Sequence, residues 1–221
     1  MRRYVLSLVC ALWLAPSGAS ALIIDPFDDP ASASTTTLNA TVSTTTASGS
    51  FLGTNRQLQA SRTSGLLNVH GTIDASDNSL LTMNTDANTN GTVSVLWQNF
   101  IADLTELGSK NSIALVLASA DLPSNLTLTA TDTFANTGSV TVGLPGAVFS
   151  PTAQNVLFSA FSGSVDFSSL ESFQMLITPI GPSSDIQIDL IESSFVVPEP
   201  GSALLLGAGL AGLALRRRRA A

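Results

Sequence analysis

Asn125–Leu126–Thr127–Leu128–Thr129–Ala130–Thr131–Asp132–Thr133 places Leu126, Leu128 and Ala130 at every second position, with threonines between them. Successive side chains of a β-strand point to opposite faces, so this period of two gives the segment one apolar face and one hydroxyl face. Threonine is β-branched and favours extended backbone. The stretch reads as a β-strand.

The same alternation extends outward along the chain. Residues 139–144 alternate through Val140 and Val142, and residues 184–191 through Ile186, Ile188 and Leu190. Further strands are expected at 37–45, 57–61, 65–69, 79–83, 92–97, 112–119, 156–161 and 174–178, with Pro179 closing the last because it cannot donate to a ladder. Residues 101–107 read as a short helix or a loop turn, and 162–170 contain a bend. Residues 31–50 are low in complexity and read as an edge strand or a loose arm. About ten or eleven short strands with closely spaced turns predict an all-β fold, an antiparallel β-sandwich of jelly-roll type.

Charge narrows the function classes. The chain has 221 residues and a formal net charge of −7. Between Leu22 and Val197 the cations are Arg56, Arg62 and Lys110, against fifteen carboxylates. A body so poor in cations is a weak partner for nucleic acid or anionic lipid, since binding polyanions needs Lys and Arg to displace counterions. Neutral sugars or metal cations suit it better. The one cysteine, Cys10, falls in the leader, so a mature chain has no disulfide and no thiolate site.

Both ends read as targeting segments. Arg2 and Arg3 precede an apolar run from Tyr4 to Ala15, Pro16–Ser17–Gly18 breaks it, and Ala19–Ser20–Ala21 forms a small-residue site for signal peptidase. Residues 1–21 are expected to be a signal peptide cut after Ala21, and 22–197 an extracytoplasmic β-sandwich. At the other end come Pro198–Glu199–Pro200–Gly201, an uncharged stretch at 202–215, then Arg216, Arg217, Arg218 and Arg219. Fourteen helical residues reach roughly 21 Å at about 1.5 Å each. The hydrocarbon core is about 30 Å thick, so this single transmembrane helix is a short one. The arginines should stay on the cytoplasmic side of the inner membrane. The two prolines hold an extended segment at the membrane face.

A Pro-Glu-Pro motif, a short apolar helix and a terminal arginine cluster together resemble the PEP-CTERM sorting signal, over residues 197–221. The resemblance implies that exosortase recognises the tail, cuts near Pro198–Gly201, and releases or transfers the body toward the cell surface. Pro198, Glu199 and Pro200 would then be a substrate motif.

A second resemblance lies in the body. Ile24–Asp25–Pro26–Phe27–Asp28–Asp29 resembles the opening of galactose-binding-like jelly rolls. Val156–Leu157–Phe158–Ser159–Ala160–Phe161, Val165–Asp166–Phe167, Phe173–Gln174–Met175–Leu176–Ile177 and Ile188–Asp189–Leu190–Ile191 resemble their closing strands. The resemblance implies a carbohydrate-binding module for exopolysaccharide, with Asp28, Asp29 and Asp189 as ligands of a structural calcium. The competing reading makes these residues solvated turn and edge carboxylates.

Other candidates carry two readings each. Asp86-x-Asn88-x-Asn90-Gly91 matches the first half of a calcium loop, but Trp97 occupies the position of the closing Glu. The Asn90–Gly91 pair reads better as a hairpin turn. Trp97 is a sugar-stacking platform or, the preferred reading, a core residue. His70, the one histidine, is placed at a strand end before a turn at Gly71. No G-x-S-x-G elbow surrounds a serine, and zinc lacks ligands. Carboxylate pairs such as Asp185 with Asp189, or Asp74 with Asp77, keep a small polysaccharide hydrolase as the alternative to a non-catalytic surface protein.

Overall fold

The computed structural model describes residues 21–75 and 79–196. It contains thirteen strands: β1 (Ile23–Asp25), β2 (Ala31–Thr35), β3 (Thr41–Ala47), β4 (Asn55–Ser64), β5 (Val69–Asp74), β6 (Leu80–Thr85), β7 (Asn90–Ala102), β8 (Ser112–Ala120), β9 (Ser124–Asp132), β10 (Thr137–Leu144), β11 (Thr152–Leu157), β12 (Leu170–Pro179) and β13 (Asp185–Ser194). A single 3-10 turn covers Phe158–Ala160.

The first sheet runs β11-β8-β13-β6-β5-β2, with β1 also beside β13. The second runs β10-β9-β12-β7-β4-β3. Every pairing between these strands is antiparallel. The sandwich expected from the alternation is therefore present. Its core is formed by the inward residues of both sheets, including Leu58, Val93, Val95, Leu126, Leu128, Met175 and Ile177 from the second and Leu81, Met83, Leu115, Leu117, Ile186 and Ile188 from the first. Burying these side chains is the main source of stability, at about 1.5–3 kcal/mol for each large one.

Several local expectations need correction. Residues 31–50 are neither one edge strand nor a loose arm, but two strands, β2 and β3, each at the edge of a different sheet. Asn90–Gly91 is not the turn. The chain turns at Asp86–Thr89, where Thr89 N–H donates to the Asp86 carbonyl (3.0 Å) and Asn88 takes a φ of 57°. Gly91 lies inside β7, where a Cβ would meet the Ser61 carbonyl at 2.2 Å, so glycine is needed for close approach. The strand expected at 65–69 is displaced to β5, which carries His70 and Gly71 in its interior. Strand β11 stops at Leu157, and the Phe residues that follow stack on one another, Phe158 over Phe167 at 4.3 Å.

Among the described residues no helix is long and apolar enough to cross a membrane. The signal peptide up to Ser20, Asp77, and the tail with Pro198, Glu199, Pro200, Gly201, the 202–215 helix and Arg216–Arg219 lie outside the described residues.

Candidate functional site

The outer face of the second sheet is built to one chemical plan. Across β10, β9, β12, β7, β4 and β3, one rung consists of Thr141, Thr127, Leu176, Ser94, Gln59 and Ser43. The next consists of Ser139, Thr129, Gln174, Leu96, Gln57 and Thr45. A third consists of Thr137, Thr131, Ser172, Gln98, Asn55 and Ala47. These positions alternate with core residues such as Leu58, Val95, Trp97, Leu128 and Met175, so the period of two that builds the core also builds this face.

No side chain in the three rungs carries a charge. Hydroxyls and amides dominate, and half-buried Leu96 and Leu176 supply an aliphatic centre. Neighbours order one another: Thr127 Oγ1 and Thr141 Oγ1 lie 2.9 Å apart, and Gln57 Oε1 accepts from Gln59 Nε2 at 2.8 Å. Amides and hydroxyls can both donate and accept, which matches the hydroxyl groups of a neutral glycan. The leucines match its C–H faces.

The third rung opens into a groove of about 820 Å³, lined by Gln98, Asn99, Phe100, Ile101, Thr133, Glu171 and Ser172. It lies where the pairing is irregular on both sides of β12: between Leu170 and Ser172 the exposed Glu171 is extra against β9, whereas opposite the same step β7 carries Asn99, Phe100 and Ile101 between Gln98 and Ala102. The far wall is the β9–β10 turn, and Asp132 fixes it. Asp132 Oδ1 accepts from Phe134 N–H (2.9 Å) and Asn136 N–H (3.0 Å). Asp132 Oδ2 accepts from Asn136 Nδ2 and Asp166 N–H, both at 3.0 Å. Burial would raise this carboxyl, but the bonds from the Asn136 side chain and from the Asp166, Asn136 and Phe134 amides outweigh it and hold it below the usual range.

The residues singled out from sequence fall as follows. Trp97 is 0% exposed, so it is a core residue and no sugar platform. Its ring stacks on Phe173 at 5.8 Å. Asp28 and Asp29 both accept from the Ser50 hydroxyl, and Ser50 N–H donates to Asp29 Oδ2 at 2.7 Å. Asp189 lies on β13 at a register shift between Ile188 and Leu190. Among the described residues no three His, Cys, Asp or Glu side chains converge as a metal site requires. The expected calcium trio is therefore not assembled, although β1 does pair with β13. Asp28 and Asp29 share Ser50 instead, and Asp189 is the residue without a cross-strand partner at the register shift in β13. His70 pairs across the first sheet with Asn84 and Ser34. Asp185 is raised by burial first, then by the charges of Asp121 and Asp86, and Asn84 donates to it.

The two arginines of the body are both interior, Arg56 at 0% and Arg62 at 7% exposure. Lys110 is thus the one cationic side chain of the described residues that is not buried. The signal for the polar face was present in the sequence, in the threonine half of 125–133. What the sequence did not show was that five other strands would bring Gln, Ser, Thr and Asn into register with it.

Residues 196–219 match the PEP-CTERM protein-sorting motif, so the chain carries that sorting signal. No curated protein matches the chain in sequence. Among solved structures, the chain is similar to the family 11 carbohydrate-binding module from Clostridium thermocellum in complex with a β-1,3-1,4-mixed-linked tetrasaccharide. Identity is 12% and the TM-score 0.41, over 80% of this chain and 96% of that one. The family 11 module of the Clostridium thermocellum cellulosomal cellulase Lic26A-Cel5E is similar at 11% identity and a TM-score of 0.42, over 83% and 99%. An agarase is similar at 11% identity and a TM-score of 0.45, over 64% of this chain and 23% of that one.

Proposed function

We propose that this chain is an exported, non-catalytic surface or matrix protein, processed by exosortase at its C-terminal signal, that binds neutral extracellular polysaccharide on the outer face of the second sheet. The sorting motif at 196–219 supports the first half, an exported chain that is membrane-anchored before it is sorted. The second half rests on one observation, the charge-free field of hydroxyls and amides around Leu96 and Leu176, which opens into the groove at Gln98 and Ser172. A sugar chain laid across the rungs exchanges its water for these groups without the desolvation cost of an ion pair.

Affinity electrophoresis of the exported protein through gels containing neutral glucans or galactans is the test. Retardation that a free oligosaccharide of the same type relieves supports the reading. Unchanged mobility in every neutral polysaccharide overturns it. A hydrolase would need two carboxylates across a cleft. Glu171 is the one carboxylate among the described residues lining the groove, and release of reducing ends that Glu171→Gln abolishes would favour that alternative.

A further inference from the structure

Leu22 N lies 2.7 Å from Glu106 Oε1 and 2.9 Å from Ser193 Oγ. The Ser193 hydroxyl donates to the same Glu106 oxygen at 2.6 Å, and so turns its lone pairs toward Leu22. The backbone is held as well, with Ser193 N–H donating to the Leu22 carbonyl at 2.9 Å. An amide nitrogen has a single hydrogen, and here two acceptors converge on it. An α-ammonium has three hydrogens. It would give one to Glu106 and one to Ser193, keep a third for solvent, and answer the carboxylate's charge as no amide can.

Leu22 is the residue that cleavage after Ala21 would make the first of the mature chain. The geometry points to Glu106 and Ser193 as a docking site for the new α-ammonium, so that removal of the signal peptide completes a charge pair in the folded body. This rests on cleavage after Ala21, and on neither exosortase nor glycan binding. Ser193 is fully buried on β13, a central strand. Glu106 is brought in by the 103–110 connection, where Glu106 and Leu107 both take positive φ, 47° and 59°. Non-glycine residues adopt that conformation only when their surroundings fix it. Here Asp103 fixes it, accepting from Thr105 N–H at 2.8 Å and Leu107 N–H at 2.9 Å. The charged groups on the elements packed at Leu22 are Asp103, Glu106 and Lys110 on the connection and Asp185, Asp189 and Glu192 on β13, with Glu192 opposite Ile23.

An ammonium with a carboxylate partner loses its proton at higher pH than a free one. The ordinary α-amino value is about 7.7–8.0, and the pair should raise it. The experiment uses the protein recovered after export. Intact mass first reads whether the chain begins at Leu22. The rate at which the α-amine is acylated is then followed against pH, by mass spectrometry of the N-terminal peptide. The expected result is an apparent pKa above the ordinary α-amino range in the unaltered protein. Glu106→Gln, still folded by circular dichroism, should react about tenfold faster at pH 7. A chain that begins elsewhere overturns the assignment. So does an α-amine of ordinary pKa in the unaltered protein, a measurement that needs no variant to fold. Equal rates with and without Glu106 overturn it too.

Discussion

The indole N–H of Trp97 donates to Asp25 Oδ2 at 2.8 Å, from a strand of the second sheet to a strand of the first. Arg56 joins them. Its Nη1 reaches both oxygens of Asp25, at 3.0 and 2.9 Å, its Nη2 donates to the Asp29 carbonyl, and its guanidinium lies 4.6 Å from the centre of the Phe51 ring. Phe27 N–H completes the set, 2.7 Å from Asp25 Oδ1. Burial pushes the Asp25 carboxyl above its ordinary range, while the Arg56 charge and the bonds from Arg56, Trp97 and Phe27 pull it back. Arginine does not give up its proton, so Asp25 is held as its ionised partner.

Removing one member of this pair should be worse than removing both. Asp25→Ala leaves a buried guanidinium unpaired and is expected to cost about 3–5 kcal/mol in urea unfolding. Arg56 Nε is already buried without a hydrogen-bond partner among the described residues, so the pair is an imperfect one. Asp25→Leu with Arg56→Met should therefore recover part of the loss, the remainder being the Trp97 and Phe27 N–H groups left without their acceptor. A double variant as unstable as the two single ones summed would contradict this account.

Trp97→Phe keeps a ring against Phe173 but removes the donor to Asp25. A loss of about 1–3 kcal/mol is expected, the usual cost of a buried acceptor left short of a partner. Glycan retardation should be unchanged once the variant is folded, because Trp97 does not reach the surface. Lost binding in a variant with unaltered unfolding would restore the platform role that its burial argues against.

Gln174 occupies the middle rung between Thr129 and Leu96. Gln174→Glu introduces a charge of nearly the same shape, and should weaken binding of a neutral glycan by about tenfold, near 1.4 kcal/mol. A matching change on the first sheet, Gln187→Glu, serves as control. Equal effects from both would remove the second sheet's claim to be the binding face.

Asp132 gives a pH signature. Its folded value lies below its unfolded one, because the hydrogen bonds outweigh the burial that opposes them. Its contribution is therefore fully present above the unfolded value of about 3.9 and lost as pH falls through the folded value. The advantage in Tm of the native protein over Asp132→Ala should be constant from neutral pH to about 5 and shrink below about 4. A gap that stays the same down to pH 2 would sink the argument.

Heparin or duplex DNA columns should not retain the body once its arginine tail has been cut away, even at about 50 mM salt, since a single half-exposed lysine offers almost no counterion release. Salt-sensitive retention would require a cationic surface that the described residues do not provide.

The core and the face were legible to different depths, for one physical reason. Alternation states which residues share a side of a strand, so 125–133 and 184–191 found their places from sequence. It does not state which strands become neighbours, so the rungs joining Gln57, Leu96, Gln174 and Thr129 were invisible. Arg56 and Arg62 share parity with Leu58 and Ala60 in β4, and that parity was the available sign that both arginines turn inward. Gly91 shows the opposite error. Local turn chemistry was read where the glycine answers a long-range approach of Ser61, 30 residues earlier in sequence.

Asn111 holds the last described residue at two points, with Nδ2 donating to the Val196 carbonyl and Oδ1 accepting from Val196 N–H, each at 2.8 Å. Beyond it runs the sorting tail, and just before it lies β13, a central strand flanked by β8 and β6. Mechanical tension on a tethered body would enter through this amide and then along the axis of β13. The ladder bonds on both sides would share such a load in shear instead of opening one at a time. The protein is mounted by an interior strand paired on both sides, and a cut in the tail would relieve the strain without removing a single rung.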